Sequence, residues 1–261
     1  MALVFLGLVL AWYLLKALGR VWQPASEAVA RLSPYTRRLH RWVMFAPATF
    51  AYVAVFTATT LVQFSAPPHL INVLTTMQST NLAHLSDEPI RALATSAIWV
   101  AERGYGLGLY ILVYATVVAW AERRYGTPRI IFVCLFGHVA GTLLTALAER
   151  HAIAAGHESE LLRYTNDVGV SYMMVAGCAA AALLLRGWKQ WLVIAGLVAG
   201  VLVPFVVTRS IWELGHLLAT LCGLFAAWLS LLPAPAREVA GVPAKGVPMK
   251  KKEGHADAGA A

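Results

Sequence analysis

Charge is what this sequence has least of. Asp, Glu, Lys and Arg make up 13% of its 261 residues, about half the share of an ordinary soluble domain, while apolar residues make up 59%. A soluble fold of this length needs far more polar surface to cover its core, so that class is excluded. Cysteine is scarce as well. Cys134, Cys178 and Cys222 lie inside apolar runs and show none of the close pairing of a metal or redox motif. They read as small buried hydrophobes. No basic stripe with interleaved aromatics exists. The net charge of +8 comes from short clusters between apolar runs, so no nucleic-acid surface is expected. There is no H-E-x-x-H for a zinc protease. The single E-x-x-H, Glu213 with His216, falls short of the paired motifs of a di-iron bundle. No metal or cofactor is expected, although His138, Asp167, Glu213 and His216 together leave a metal-binding or proton-relay role as a third, weaker option.

What is abundant is long apolar sequence. A helix needs about 20 mostly apolar residues to cross the hydrocarbon. Runs of that kind are predicted over 2–18, 43–64, 106–121, 129–148, 168–185, 188–208 and 211–232, about seven crossings of a lipid bilayer. The first run is marginal in length. It has no basic region before it and no A-x-A-like site after it, so it reads as an extra, loosely attached span and not as a cleaved signal peptide.

The connecting charges set an orientation. Arg20, Arg31, Arg37, Arg38 and Arg41 face a single Glu27 between the first two runs. Asp87, Glu88 and Glu102 stand with Arg91 and Arg103 in the next connection. Arg123, Arg124 and Arg129 then precede an acidic stretch with Glu149, Glu158, Glu160 and Asp167. Arg186 and Lys189 mark the following turn, and Lys245 and Lys250–Lys252 lie in the tail. Basic and non-basic connections alternate, as the positive-inside rule requires. The amino terminus is therefore expected outside and the carboxyl terminus in the cytoplasm of a bacterial-type plasma membrane. The long external segment 65–105 is expected to form short interfacial helices, with Ser86 and Asp87 as caps and Trp99 and Tyr105 at interfacial depth. The tail from Pro233, rich in Pro, Ala, Gly and Lys, is expected to be disordered.

Polar groups inside spans are costly, so they are functional candidates. The fifth run opens N-D-V-G-V-S-Y, with Asn166, Asp167, Gly169, Ser171 and Tyr172. The last contains W-E-L-G-H-L-L-A-T-L-C-G, with Glu213, Gly215, His216, Ala219 and Gly223. The fourth carries Gly137, His138, Gly141 and Thr142. The fifth and seventh runs enter from the same side, and Ser171 and His216 fall at matching depths of roughly 5–10 Å. A serine and an imidazole so placed form a nucleophile and its base if their helices touch. Small residues would permit that contact: Gly169, Gly177 and Ala181 on one helix, Gly215, Ala219 and Gly223 on the other. Each residue also has a plainer use. A lone serine bonds a helical carbonyl, a lone histidine serves as a strut, and Asp167 caps a helix. Glu213, on the same face as His216, either orients the imidazole or sits in interfacial water.

With these motifs in view, the chain resembles the rhomboid superfamily of intramembrane serine proteases. Gly169–Ser171 matches the family's G-x-S at the start of its fourth core helix. His216–Gly223 matches H-x-x-G-x-x-x-G in the sixth, with Ala219 for one glycine. Ala121–Thr127 resembles the turn after the second core helix, and Pro89–Ser96 resembles the external W-R-x-x-T stretch. The resemblance implies an all-α polytopic bundle. Residues 41–232 would form a six-helix core, 1–40 an extra amino-terminal transmembrane helix with a basic cytoplasmic linker, and 233–261 the tail. It also implies Ser171 as nucleophile and His216 as base, with another membrane protein's transmembrane segment as substrate. Two departures bear on activity. The family's H-x-x-x-N, which supplies oxyanion donors, has no counterpart in Gly104–Tyr110, and Tyr172 stands where glycine is usual. His138 or Asn166 are the candidates to replace the donors. Two readings therefore stay open, an intramembrane serine endopeptidase and a rhomboid-like pseudoprotease that binds membrane partners without cutting them.

Overall fold

The computed structural model describes residues 2–100 and 106–232. The expectations for Glu102, Arg103, Gly104, Tyr105 and the tail from Pro233 fall outside the described residues. Among those described, all regular structure is helical. In chain order the α-helices are α1 (Ala2–Leu18), α2 (Gln23–Met44), α3 (Pro47–Ser65), α4 (Pro68–Met77), α5 (Leu82–Asp87), α6 (Pro89–Ser96), α7 (Leu107–Val113), α8 (Ala119–Tyr125), α9 (Thr127–Ala154), α10 (Val170–Leu183), α11 (Trp188–Thr208) and α12 (Ile211–Leu231). A π-helical turn over Tyr114–Val118 joins α7 to α8 without a break, and a 3-10 turn over Glu160–Tyr164 precedes α10.

Prolines fix many of the starts. One stands in the first two positions of α2, α3, α4, α6 and α9, where the missing N–H is no loss and φ is already helical. Among the described residues, four helices are long and apolar enough to cross a membrane: α3, α9, α11 and α12. The chain is therefore an integral, multi-pass membrane protein. α10 differs from its expected 168–185 span. Its 14 residues rise only about 21 Å, less than the hydrocarbon thickness, and it falls two residues short at each end. The stretch expected as a basic linker is the helix α2. It ends at Phe45 and Ala46, so the next span starts at Pro47 and not at Val43.

The short helices α4 to α6 do form, with different caps and a different tryptophan. Neither Ser86 nor Asp87 caps α6, whose N-cap is Glu88 without a side-chain bond; Asn81 caps α5 by accepting from the His84 N–H at 2.9 Å. Ser86 and Asp87 lie in its last turn, and Ser86 bonds the Leu82 carbonyl instead. Trp99 is buried inside the protein, donating Nε1–H to Thr75 Oγ1 at 3.0 Å, so it does not face the interface.

At the other end of the bundle, the Glu122 carboxylate is buried yet fully engaged. It accepts from the backbone N–H groups of Ala48 (3.0 Å) and Thr49 (2.8 Å) and from Thr127 Oγ1 (2.7 Å). A carboxylate at the positive end of a helix is favourable, so Glu122 ties α8 to the start of α3. The centre of the molecule is α9, α10 and α12. Gly141 of α9 abuts Ala219, and Gly223 of α12 abuts Ala176. A methyl group at Gly141 would approach Ala219 to 2.9 Å, and one at Gly223 would approach Ala176 to 2.5 Å. Gly177 packs elsewhere than expected. It faces Val118 and Cys134, on the π turn and α9, and not α12.

Candidate active site

The start of α10 is built by the chain ahead of it. Residues 166–169 are pinned to the α4–α6 segment along their length. Asn166 donates its amide to Thr76 Oγ1, the Asp167 N–H donates to Ser79 Oγ at 2.8 Å, Thr80 N–H donates to the Asp167 carbonyl at 2.9 Å, and the Gly169 N–H donates to the Ser96 carbonyl at 3.0 Å. From α12, Trp212 Nε1–H donates to the Asn166 carbonyl at 2.8 Å. Gly169 then caps α10 by position alone, without a side-chain bond, so Asp167 is not the cap. Ser171 is the second residue of the helix.

Across the seam, His216 Nε2 lies 2.8 Å from Ser171 Oγ. A Ser171 hydroxyl that donates to Nε2 goes with the tautomer that carries its hydrogen on Nδ1, toward Glu213. Nδ1 faces Glu213 Oε2 at 3.7 Å, too long for a hydrogen bond but within ion-pair distance of a protonated ring. Serine, imidazole and carboxylate therefore stand in a row across α10 and α12.

Two glycines make room for the rings around them. A methyl group at Gly215 would fall 1.4 Å from the Tyr172 hydroxyl oxygen, and one at Gly169 would fall 2.1 Å from His138 Cε1. Tyr172 meets the His216 ring edge-on at 5.4 Å between centroids and donates its hydroxyl to Asp167 Oδ2 at 2.8 Å. Burial pushes the Asp167 carboxyl up to about 6, against the hydrogen bonds from Tyr172 and the Val168 N–H that pull it down. Tyr172, which replaces the expected glycine, thus braces the imidazole and is itself held at both ends.

The two residues considered as replacement oxyanion donors have other commitments. His138 is buried with Nε2 3.0 Å from the Leu93 carbonyl, which can only accept, so Nε2 carries the proton. Nδ1 is then a bare acceptor, without a partner among the described residues. One of the two Asn166 amide hydrogens goes to Thr76. The donors at the α10 start itself are the backbone N–H groups of Ser171 and Tyr172. In the first turn of a helix these have no intrahelical acceptor, and the helix end adds positive potential.

Tyr114 was not singled out from the sequence. Its hydroxyl, at the start of the π turn, donates to the Val170 carbonyl at 2.9 Å. That carbonyl belongs to the peptide that carries the Ser171 N–H, and in a trans peptide the two point in opposite directions. Tyr114 therefore fixes where the Ser171 N–H aims. Ser79, Thr80 and Ser96 were missed for the same reason: their roles are long-range bonds to backbone, which leave no spacing in the sequence.

The sequence model of a family described as Rhomboid-like protein matches residues 41–232. No curated protein and no solved structure matches the chain.

Proposed function

This chain belongs to the rhomboid-like family, and we propose that it is an intramembrane serine endopeptidase that cuts the transmembrane segment of another membrane protein. The observation that carries this reading is the 2.8 Å contact between Ser171 Oγ and His216 Nε2. As the Ser171 oxygen attacks the scissile carbonyl carbon, its proton passes to His216 Nε2. The oxyanion forms in front of the free N–H groups of Ser171 and Tyr172 at the α10 start, where fixed dipoles contribute most. Glu213 steadies the imidazolium. His216 then gives its proton to the leaving amine nitrogen, which breaks the C–N bond, and a water repeats the cycle on the acyl-serine. The reading places the α4–α6 end of the bundle outside the cell and the carboxyl terminus in the cytoplasm, as the charge pattern favours.

The test is cleavage of a single-span substrate protein by the purified full chain in lipid nanodiscs. Ser171→Ala and His216→Ala should each lower the rate by at least about a thousandfold with unchanged thermal unfolding. Cleavage that survives Ser171→Ala, or no cleavage of any span offered, sinks the proposal.

One observation favours the alternative, a pseudoprotease that binds spans without cutting them. The side-chain N–H of His138, one amide hydrogen of Asn166 and the hydroxyl of Tyr114 are already bonded within the protein, which leaves the oxyanion chiefly to backbone donors. Capture of a span-containing partner that is indifferent to Ser171→Ala, with no cleavage, would establish that reading instead.

A further inference from the structure

The helix α2 is absent from the mechanism above, and its two faces differ sharply. Ala25, Ala28, Val29, Leu32, Tyr35, Leu39 and Val43 recur every three or four residues and form one stripe. Arg31, Arg37, Arg38 and Arg41 stand on the other side or along the stripe's edges. In a soluble bundle such a stripe would be covered. Here Ala25 is its only buried residue, while Leu32, Tyr35 and Leu39 are 46%, 68% and 62% exposed. The arginines have no acidic partner, since the ion pairs among the described residues involve none of them, and Arg37 reaches only the Ser33 carbonyl of its own helix.

The place of α2 is fixed at its carboxyl end. Trp42 Nε1–H donates at 2.7 Å to the carbonyl of Ala115, in the π turn. Arg123 stacks over the Trp42 ring at 4.4 Å and lies 5.6 Å from the Phe45 ring. Those contacts tie the carboxyl end of α2 to the π turn and to Arg123 of α8. From there the helix extends about 33 Å.

We propose that α2 is a docking surface for an anionic lipid bilayer, lying in the plane of the membrane interface with its apolar stripe among the acyl chains. Its arginines then meet acidic headgroups. An apolar stripe of this length flanked by cations is what interfacial helices use to bind anionic lipid, and charge complementarity identifies the occupant. Each arginine near such a surface adds attraction that salt screens away. A neutral protein partner would leave the arginines unanswered, and an aqueous position would leave the stripe in water. The proposal does not depend on proteolysis.

The test uses the full chain in nanodiscs, with Cys134, Cys178 and Cys222 replaced by alanine. A spin label is placed at Leu32→Cys or Leu39→Cys on the stripe, or at Ala30→Cys on the opposite face. Accessibility to an aqueous nickel reagent is compared between discs of phosphatidylcholine alone and discs about one quarter phosphatidylglycerol. The two stripe labels should lose about fivefold in nickel accessibility in the anionic discs and regain it in high salt, while the label at residue 30 stays accessible. The combined variant Arg31→Gln/Arg37→Gln/Arg38→Gln should lose the lipid dependence with unchanged thermal unfolding. Equal nickel accessibility in both discs overturns the proposal, whether the label is exposed in both or shielded in both. Spin–spin coupling between stripe labels of two copies would also overturn it, because a second chain would then be the occupant.

Discussion

α10 and α11 both lean on α12, and they do so in opposite ways. Ten of the fourteen residues of α10 are buried. It meets α12 through Ala176 against Gly223 and Tyr172 against Gly215, contacts too close for any side chain on the glycine. In α11 only Val201 is buried, and Gly196 and Gly200 have nothing within 4 Å of where a methyl group would stand. α11 then ends at Arg209, which takes a left-handed conformation with φ of 50° before α12 begins. A hydrogen bond between side chains on two helices needs both backbones fixed to a fraction of an ångström, and the tight seam provides that. The loose one has no such task. Small residues in membrane helices are therefore not equivalent, because their meaning depends on what stands opposite.

The largest effect expected from breaking this contrast comes at Gly215. Gly215→Val places carbon where the Tyr172 hydroxyl now lies, which displaces Tyr172, its bond to Asp167 and the ring that braces His216. We expect a loss of about 3 kcal/mol or more. The matched change on the loose helix, Gly200→Val, should shift stability by less than about 0.5 kcal/mol. Thermal unfolding of the two variants in the same nanodiscs measures both. Equal effects would mean that the α10–α12 seam is no tighter than the α11 contact.

An intermediate effect is expected at Tyr114, which steadies the tight side from a third helix. Tyr114→Phe keeps the ring in its buried cluster with Tyr52 and Phe56 and removes the bond to the Val170 carbonyl. About 1 kcal/mol of stability should be lost. If the proteolytic reading holds, turnover should fall about tenfold with little change in KM, since the Ser171 N–H loses its aim. A fall in stability alone would assign Tyr114 to packing.

Much of this was legible beforehand, and the reason is periodicity. Apolar runs of span length announce themselves one at a time, and the helices appear where those runs lie. The meeting of Ser171 and His216 needs only matched depth plus small residues between the helices. What stayed hidden depends on pairs without a period. The linker over 23–44 is a helix because its apolar residues recur at helical spacing, a signal that its many arginines masked. The π turn at Tyr114–Val118 reflects the partners of its carbonyl groups, such as Trp42 for Ala115, and not a motif. The late start of α10 goes with bonds that Ser79, Thr80 and Ser96 make to Asp167 and Gly169 from far along the chain.

The smallest effect expected concerns the same seam and depends on pH. Asp167 accepts from Tyr172 at the α10 start, and burial raises its carboxyl from an ordinary 3.8 to about 6. The folded chain therefore holds this proton more tightly than the unfolded one. The group costs nothing below about pH 4. Stability falls as pH rises through the window from 3.8 to about 6, and the cost is complete above it. Asp167→Asn keeps an oxygen to accept the tyrosine hydroxyl but removes the charge. It should leave thermal stability nearly unchanged near pH 4 and raise it near pH 7.5 by about 1 kcal/mol, well inside the roughly 3 kcal/mol that the full shift is worth. No comparable pH dependence should arise from Gly200→Val on α11. If Asp167→Asn destabilises at both pH values, the charge itself stabilises the seam, and the tight side of α12 is then held by electrostatics as well as by close packing.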